Sequence, residues 1–209
     1  MNDGVKQIYE RIIDTDVSEM GTAERREFTK YIMAAFITNR AASGLFKWLG
    51  ASGYYNCPAG KGHHGACRGG LFIHSFEVTR QLVLLTELYQ LEWMDNGSPI
   101  IIGILHDVCK LHEYDYDFDS KIDIQEKYFT GKGPIEYRPT FESGHGSKSI
   151  LMLSSKILLT EEEALCIRYH MGAYTDSSEW RFYDEAIKTC PNVFWTHTAD
   201  MIASKLERK

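Results

Sequence analysis

The 209-residue sequence has no apolar run approaching the ~20 residues that a membrane-spanning helix needs, so a helical membrane protein is not expected. Its opening residues, Met-Asn-Asp-Gly-Val-Lys, lack the apolar stretch of a secretory signal, and the expectation is a cytoplasmic protein with no membrane partner. Cysteines number five, an odd count at irregular spacing, which argues against a disulfide framework. Prolines also number five, too few for an extended low-complexity chain. Basic residues are outnumbered: 23 Lys and Arg stand against 29 Asp and Glu, a net charge of −6, with no basic stripe. Duplex binding draws on counterion release from many phosphates, so no duplex partner is expected. A small nucleotide or a short single-stranded nucleic-acid end is easier to reconcile with this balance.

What is present is the composition of a globular domain, 44% apolar and 12% aromatic, at a length that suits one sizeable core. Val5, Ile8, Ile12 and Ile13 predict an amphipathic helix within 4–17. Phe28, Tyr31, Ile32, Ala35 and Phe36 predict the buried face of a second, capped by Thr22 and ending near Arg40. Leu45, Phe46, Trp48 and Leu49 mark a third, and His74, Val78, Leu82 and Leu85 the inward face of a fourth. Ser98 as N-cap and Pro99 at the first position start a helix that is apolar nearly all round and therefore central. His145 opens another through Leu151, Leu153 and Ile157. Thr160 with Glu163 forms a capping box for the next, which makes Glu161 to Glu163 structural and ends at His170. Trp180 to Thr189 and a segment from Pro191 through Asp200 complete the helices. Only 114–142 departs from this period: Tyr114, Tyr116 and Phe118 alternate with Asp115, Asp117 and Asp119, and Ile122 and Ile124 alternate similarly, which predicts a small β-hairpin placed as a lid. The expected architecture is a single all-α domain: packing helices over 1–53, the functional motifs over 54–206, and the hairpin inserted at 114–142.

The chemistry centres on Ile100-Ile-Ile-Gly-Ile-Leu-His-Asp-Val-Cys-Lys110, an apolar run ending in adjacent His106 and Asp107. Burying such a pair without partners costs roughly 2–7 kcal/mol for a neutral polar group and more for a charge. A divalent cation satisfies both. A helix end with a core histidine is the plainer alternative, but His74, His145, His170 and Asp200 also fall at or near helix ends. Cys109 and Cys166 lie within apolar helical patterns and read as reduced core thiols. The glycine-rich loop at 53–70 carries Lys61, His63, His64 and Arg68, which can address phosphate oxygens. Cys57 and Cys67 flank its histidines, but their spacing fits no common zinc module.

The order His74, His106-Asp107, His145, His170, Asp200 resembles the HD-domain metal-dependent phosphohydrolase superfamily in its two-metal form. The stretch from Ala59 to Val78, including His64 and Gly69-Gly-Leu-Phe-Ile-His74-Ser, looks like the first motif of HD-type 3′-to-5′ exoribonucleases and of small bacterial and phage HD hydrolases. Gly144-His-Gly-Ser-Lys-Ser149, Ile167-Arg-Tyr-His-Met-Gly172 and Ala199-Asp-Met-Ile-Ala203 look like the later ones. Cys109 stands where many relatives have glycine. No Gly-Tyr-Pro follows the HD pair, which disfavours the cyclic-dinucleotide branch named for that tripeptide.

The resemblance implies two ions bridged by Asp107, one held also by His74, His106 and Asp200, the other by His145 and His170. Such a ligand set suits manganese, iron, nickel, cobalt or zinc, with magnesium possible. It further implies attack on phosphorus by a hydroxide between the ions, with Asp107 and Lys110 in the catalytic set and His64, Arg68, Lys110 and Lys148 toward the substrate. The expected activity is hydrolysis of a phosphate ester of a nucleotide or oligonucleotide. The alternatives are a 3′-to-5′ exonuclease on single-stranded RNA or DNA, an oxygenase with an iron pair, and a catalytically silent sensor of metal or nucleotide.

Overall fold

The computed structural model describes residues 3–61, 65–116, 135–137 and 144–206, the short 135–137 segment by its backbone. Its organising helix, α4 (Gly70–Tyr89), is what the spacing of His74, Val78, Leu82 and Leu85 requires, and all four are buried. Against it lies α5 (Ser98–Leu105), whose eight residues are all buried, as an element without a polar face must be. The two helices approach closely because residue 103 is glycine: a Cβ there would lie 2.6 Å from the Thr79 Cα. Before this pair in the chain come α1 (Asp3–Asp14), which packs on α4, and α2 (Thr22–Ile37), which packs on α5 and on α3 (Leu45–Ala51). After it come α6 (His145–Leu153), α7 (Glu161–Tyr169), α8 (Trp180–Thr189) and α9 (Asn192–Lys205). Helix α9 packs on both α4 and α7, and α7 on α6 and α5, so five helices surround one interior point. The fold is all-α. No described helix is long and apolar enough to cross a membrane.

The predicted β insertion is met by a short antiparallel ladder, β1 (Tyr114–Tyr116) on β2 (Ile135–Tyr137), with Tyr114 opposite Tyr137 and Tyr116 opposite Ile135. Phe118, Ile122 and Ile124, on which the expectation also drew, lie outside the described residues.

Three local expectations are corrected. Thr22 is the first residue of α2 and not its cap; its hydroxyl donates to Asn56 Oδ1 at 2.9 Å, and Gly21 N–H donates to Glu24 Oε2 at 2.7 Å. The buried face of α2 runs through Arg25, Phe28, Thr29, Ile32, Met33 and Ile37, leaving Tyr31 and Ala35 exposed. Arg25 can face inward because its Nη1 donates to the Tyr55 carbonyl and its guanidinium lies over Phe72, 5.5 Å from the ring centroid. Ser98 does not cap α5: its hydroxyl donates to Glu163 Oε1 at 2.8 Å, a partner 65 residues away that local pattern does not reveal.

Candidate metal centre

Each chemical side chain is delivered from a helix or a helix end. His74 comes from the first turns of α4, and His106 follows α5 directly with Asp107 beside it. Asp107 opens a 3-10 turn over Val108–His112. His145 is the first residue of α6, His170 follows the last of α7, and Asp200 lies in α9. His106, Asp107 and His170 are buried, as is His74, while His145 is partly exposed.

Two of the imidazoles are oriented by backbone. His106 Nδ1 lies 2.8 Å from the Gly103 carbonyl and His170 Nδ1 2.7 Å from the Ile167 carbonyl. A ring nitrogen that donates to a carbonyl fixes the neutral tautomer and leaves the Nε2 lone pair for something else. In both residues Nε2 points into the cluster. His106 Nε2 is 3.3 Å from His74 Nε2, and His170 Nε2 is buried with no hydrogen-bond partner. The buried His106 lone pair and the orphaned His170 nitrogen are costly unless a shared acceptor of electron pairs sits among them.

Asp107 is the hub. Its Oδ2 is 3.5 Å from His74 Nε2, 3.5 Å from His106 Nε2 and 2.6 Å from Lys110 Nζ. Its Oδ1 is 3.4 Å from His170 Nε2. Asp200 Oδ1 is 3.2 Å from His74 Nε2. Among the described residues, three sets of donor atoms each gather within 4.8 Å: His74, His106 and Asp200; His106, Asp107 and His170; and Asp107, Cys109 and His145. The structure therefore brings together all six residues singled out as ligands from the sequence.

The charges respond to this crowding. Burial works to raise the Asp107 carboxyl, but Lys110 and then His106 outweigh it and hold the group well below the usual carboxylate range. Burial likewise works against Asp200, and the His74 imidazole overrides it to hold the carboxyl low. Burial would depress His74, yet its hydrogen bonds to Asp107 and Asp200 hold it above its ordinary value; His170 is raised against the same burial by Asp107. Burial prevails at His106, which is lowered. Two carboxylates held anionic among imidazoles make a pocket that attracts positive charge, and its nitrogen and oxygen donors fit a divalent transition ion.

The residues expected to meet substrate are placed differently. Lys110 pairs with Asp107, and burial, which would lower its ammonium, is overcome by that carboxylate. Lys148 is buried and donates to Glu113 Oε1 at 2.8 Å. Arg68 is exposed on the loop before α4, close enough for its charge to reach the Tyr116 hydroxyl. His64 lies outside the described residues. Cys57 is buried, its thiol pushed up by burial to about 12, whereas Cys67 is exposed. His197, one turn before Asp200, has its Nδ1 2.9 Å from the His170 carbonyl. Gly172 makes that approach possible: its φ is +53°, and a Cβ there would fall 2.5 Å from the His197 ring.

Sequence reasoning missed Glu113. Its carboxylate is almost wholly buried, Oε2 lies 3.6 Å from His145 Nδ1, and that oxygen has no hydrogen-bond partner. No periodicity marks it, because it falls where helical spacing gives way to strand alternation. Cys109 was placed in the core and is buried, but its sulfur is also 3.5 Å from His145 Nδ1.

His145 is held at the cluster by a close helix crossing. A Cβ on Gly146 would fall 2.2 Å from the Arg168 carbonyl oxygen and 2.5 Å from that of Ile167. Gly146→Ala must push α6 off α7, at a cost of about 1–3 kcal/mol of overpacking. The expected result is a lower denaturation midpoint together with weakened uptake of one metal equivalent. An unchanged midpoint and stoichiometry would show that the crossing does not set the position of His145.

Comparison of the chain with protein-family models, with curated proteins and with solved structures gave no match.

Proposed function

We propose that the protein is a divalent-metal-dependent phosphohydrolase of the HD type, acting on a phosphate ester of a nucleotide or of an oligonucleotide end. The observation that carries this reading is the arrangement at Asp107, whose two carboxylate oxygens face different imidazoles. Oδ2 meets His74 and His106, and Oδ1 meets His170. A carboxylate shared in this way suits a dinuclear centre, in which His74, His106, Asp107 and Asp200 would hold one ion and Asp107, His145 and His170 the other. When bound, such a pair supplies Lewis-acid polarisation of phosphoryl oxygens and activation of water.

The chain's own residues divide the remaining work. The backbone carbonyls of Gly103 and Ile167 hold the rings of His106 and His170 in register, so ligand geometry is set before substrate arrives. With Asp107 engaged in ligation, the Lys110 ammonium would be available to a phosphate oxygen and would offset the charge that builds there. Lys148 keeps its pairing with Glu113 and fixes that carboxylate beside His145. The net charge of −6 favours a small or single-stranded substrate over a duplex.

The test is metal analysis of the purified protein combined with a manganese-supplemented screen of mononucleotides and short single-stranded RNA and DNA, with chelated protein as control. Phosphate release from mononucleotides supports the nucleotidase form of the proposal, and stepwise shortening of oligomers supports the exonuclease form. Bound metal without turnover of either class would point to a sensor or an oxygenase. Protein that binds no transition metal would end the proposal.

A further inference from the structure

The sulfur of Cys109 lies within the cluster. It is 3.9 Å from Asp107 Oδ1 and 3.5 Å from His145 Nδ1, and the residue is fully buried. Its position is fixed from two sides. The Cys109 backbone N–H donates to Ser149 Oγ on α6 at 3.2 Å, and the 3-10 turn that carries it packs on the same helix. Two neighbouring groups are left unpartnered around the same point. His170 Nε2, buried and without a hydrogen bond, is 3.4 Å from the Asp107 oxygen that the thiol approaches. Glu113 Oε2, also buried and without a hydrogen bond, is 3.6 Å from the nitrogen that the thiol contacts. A thiol that served packing alone would be expected among apolar side chains, not between a carboxylate, an imidazole and two orphaned polar atoms.

Resting on the metal-centre reading above, we propose that Cys109 is a metal ligand: its sulfur binds the ion on the Asp107 Oδ1 side, alongside Asp107, His145 and His170. On binding, the sulfur–metal bond forms as the S–H bond breaks and the proton leaves to solvent; no oxidant or reductant is involved. A cation at this point supplies the positive charge that a buried thiolate needs beside Asp107 and Glu113. The two ion positions thereby differ in kind. One is built from imidazole and carboxylate alone; the other includes a soft sulfur donor. Soft donors favour zinc, cobalt and ferrous iron over manganese and magnesium, so the Oδ1 side carries the metal preference of the pair.

Cobalt(II) titration of the whole metal-free protein tests this with a readout independent of turnover. Thiolate ligation gives a sulfur-to-cobalt charge-transfer band in the near ultraviolet, whereas imidazole and carboxylate ligation gives only the visible ligand-field bands. The expected result is both features in the native protein and loss of the charge-transfer band in Cys109→Ser, with the visible bands retained. Zinc affinity at that position should fall by at least about 10–100-fold, the loss typical of removing even an outer partner of a ligand. A native spectrum with visible bands and no charge-transfer band would overturn the thiolate assignment and leave the metal centre standing. Persistence of the charge-transfer band in Cys109→Ser would also overturn it, by assigning the sulfur to another cysteine. Absence of cobalt binding altogether would overturn both.

Discussion

Asp107→Ala should abolish transition-metal binding and all metal-dependent turnover, and should also weaken the fold. Among the described residues, Asp107 is the group that faces His74, His106, His170 and Lys110 together, which makes it the junction of the cluster. Its removal leaves the Lys110 ammonium, 2.6 Å from the lost carboxylate, without that counter-charge. Deleting one partner of a buried ion pair costs about 3–5 kcal/mol. For a domain of this size that corresponds to a fall in Tm of roughly 6–20 °C. Measured in chelator, the Tm difference isolates the ion-pair contribution; measured with manganese added, only the native protein should gain stability, because only it binds the ligand in its folded state. Asp107→Asn separates shape from charge, and should keep the packing while losing the metal. Full activity in Asp107→Ala would sink the two-metal proposal outright.

A loss of similar size in stability, without loss of the metal ligands, is expected from Glu163→Ala. This carboxylate is inaccessible and accepts three hydrogen bonds from two directions. Its Oε2 accepts from Arg40 Nη1 at 2.6 Å and from Thr160 N–H at 2.9 Å, and its Oε1 accepts from the Ser98 hydroxyl at 2.8 Å. Its own N–H donates to Thr160 Oγ1 at 3.2 Å. It thus ties the start of α7 to the start of α5 and to the chain just beyond α2. Among the described residues Arg40 would retain the partly exposed Asp95, 2.7 Å from its Nη2. The expected cost is about 3–5 kcal/mol in chemical denaturation, because a buried guanidinium loses its buried partner. Glu161→Ala, two residues away and exposed, should stay within about 0.5 kcal/mol of the native protein. Metal stoichiometry measured in the cold should be unchanged for both variants. A Glu163→Ala cost no larger than that of Glu161→Ala would show that the network is not what holds α5 against α7.

These two residues also mark how far the sequence could be read. The capping box at Thr160 and Glu163 was legible, because it depends on residues three apart in one helix. The reading that grouped Glu161, Glu162 and Glu163 together was too coarse. Glu161 is exposed; Glu162 accepts from Met94 N–H and Asn192 Nδ2; Glu163 anchors Arg40 and Ser98. Those partners lie far along the chain, and which glutamate of three meets them depends on how α7 is rotated against its neighbours. The same rotation misled the reading of α2, where apolar spacing alone placed Tyr31 inward and missed Arg25.

A resemblance carried by motifs spread along the chain singled out the six histidines and aspartates that the fold gathers; residue pattern alone determined the helical period, the central burial of 98–105 and the switch to strand alternation at Tyr114. Each of these rests on residue type and spacing within one element, and such information is local. Only the tertiary structure decided that Asp107 turns one oxygen toward His74 and His106 and the other toward His170, that Lys148 is held by Glu113, and that the Cys109 sulfur stands beside His145. Those facts depend on how four helices cross, and the crossings are set by close approaches at Gly103 and Gly146 that appear only when the helices meet.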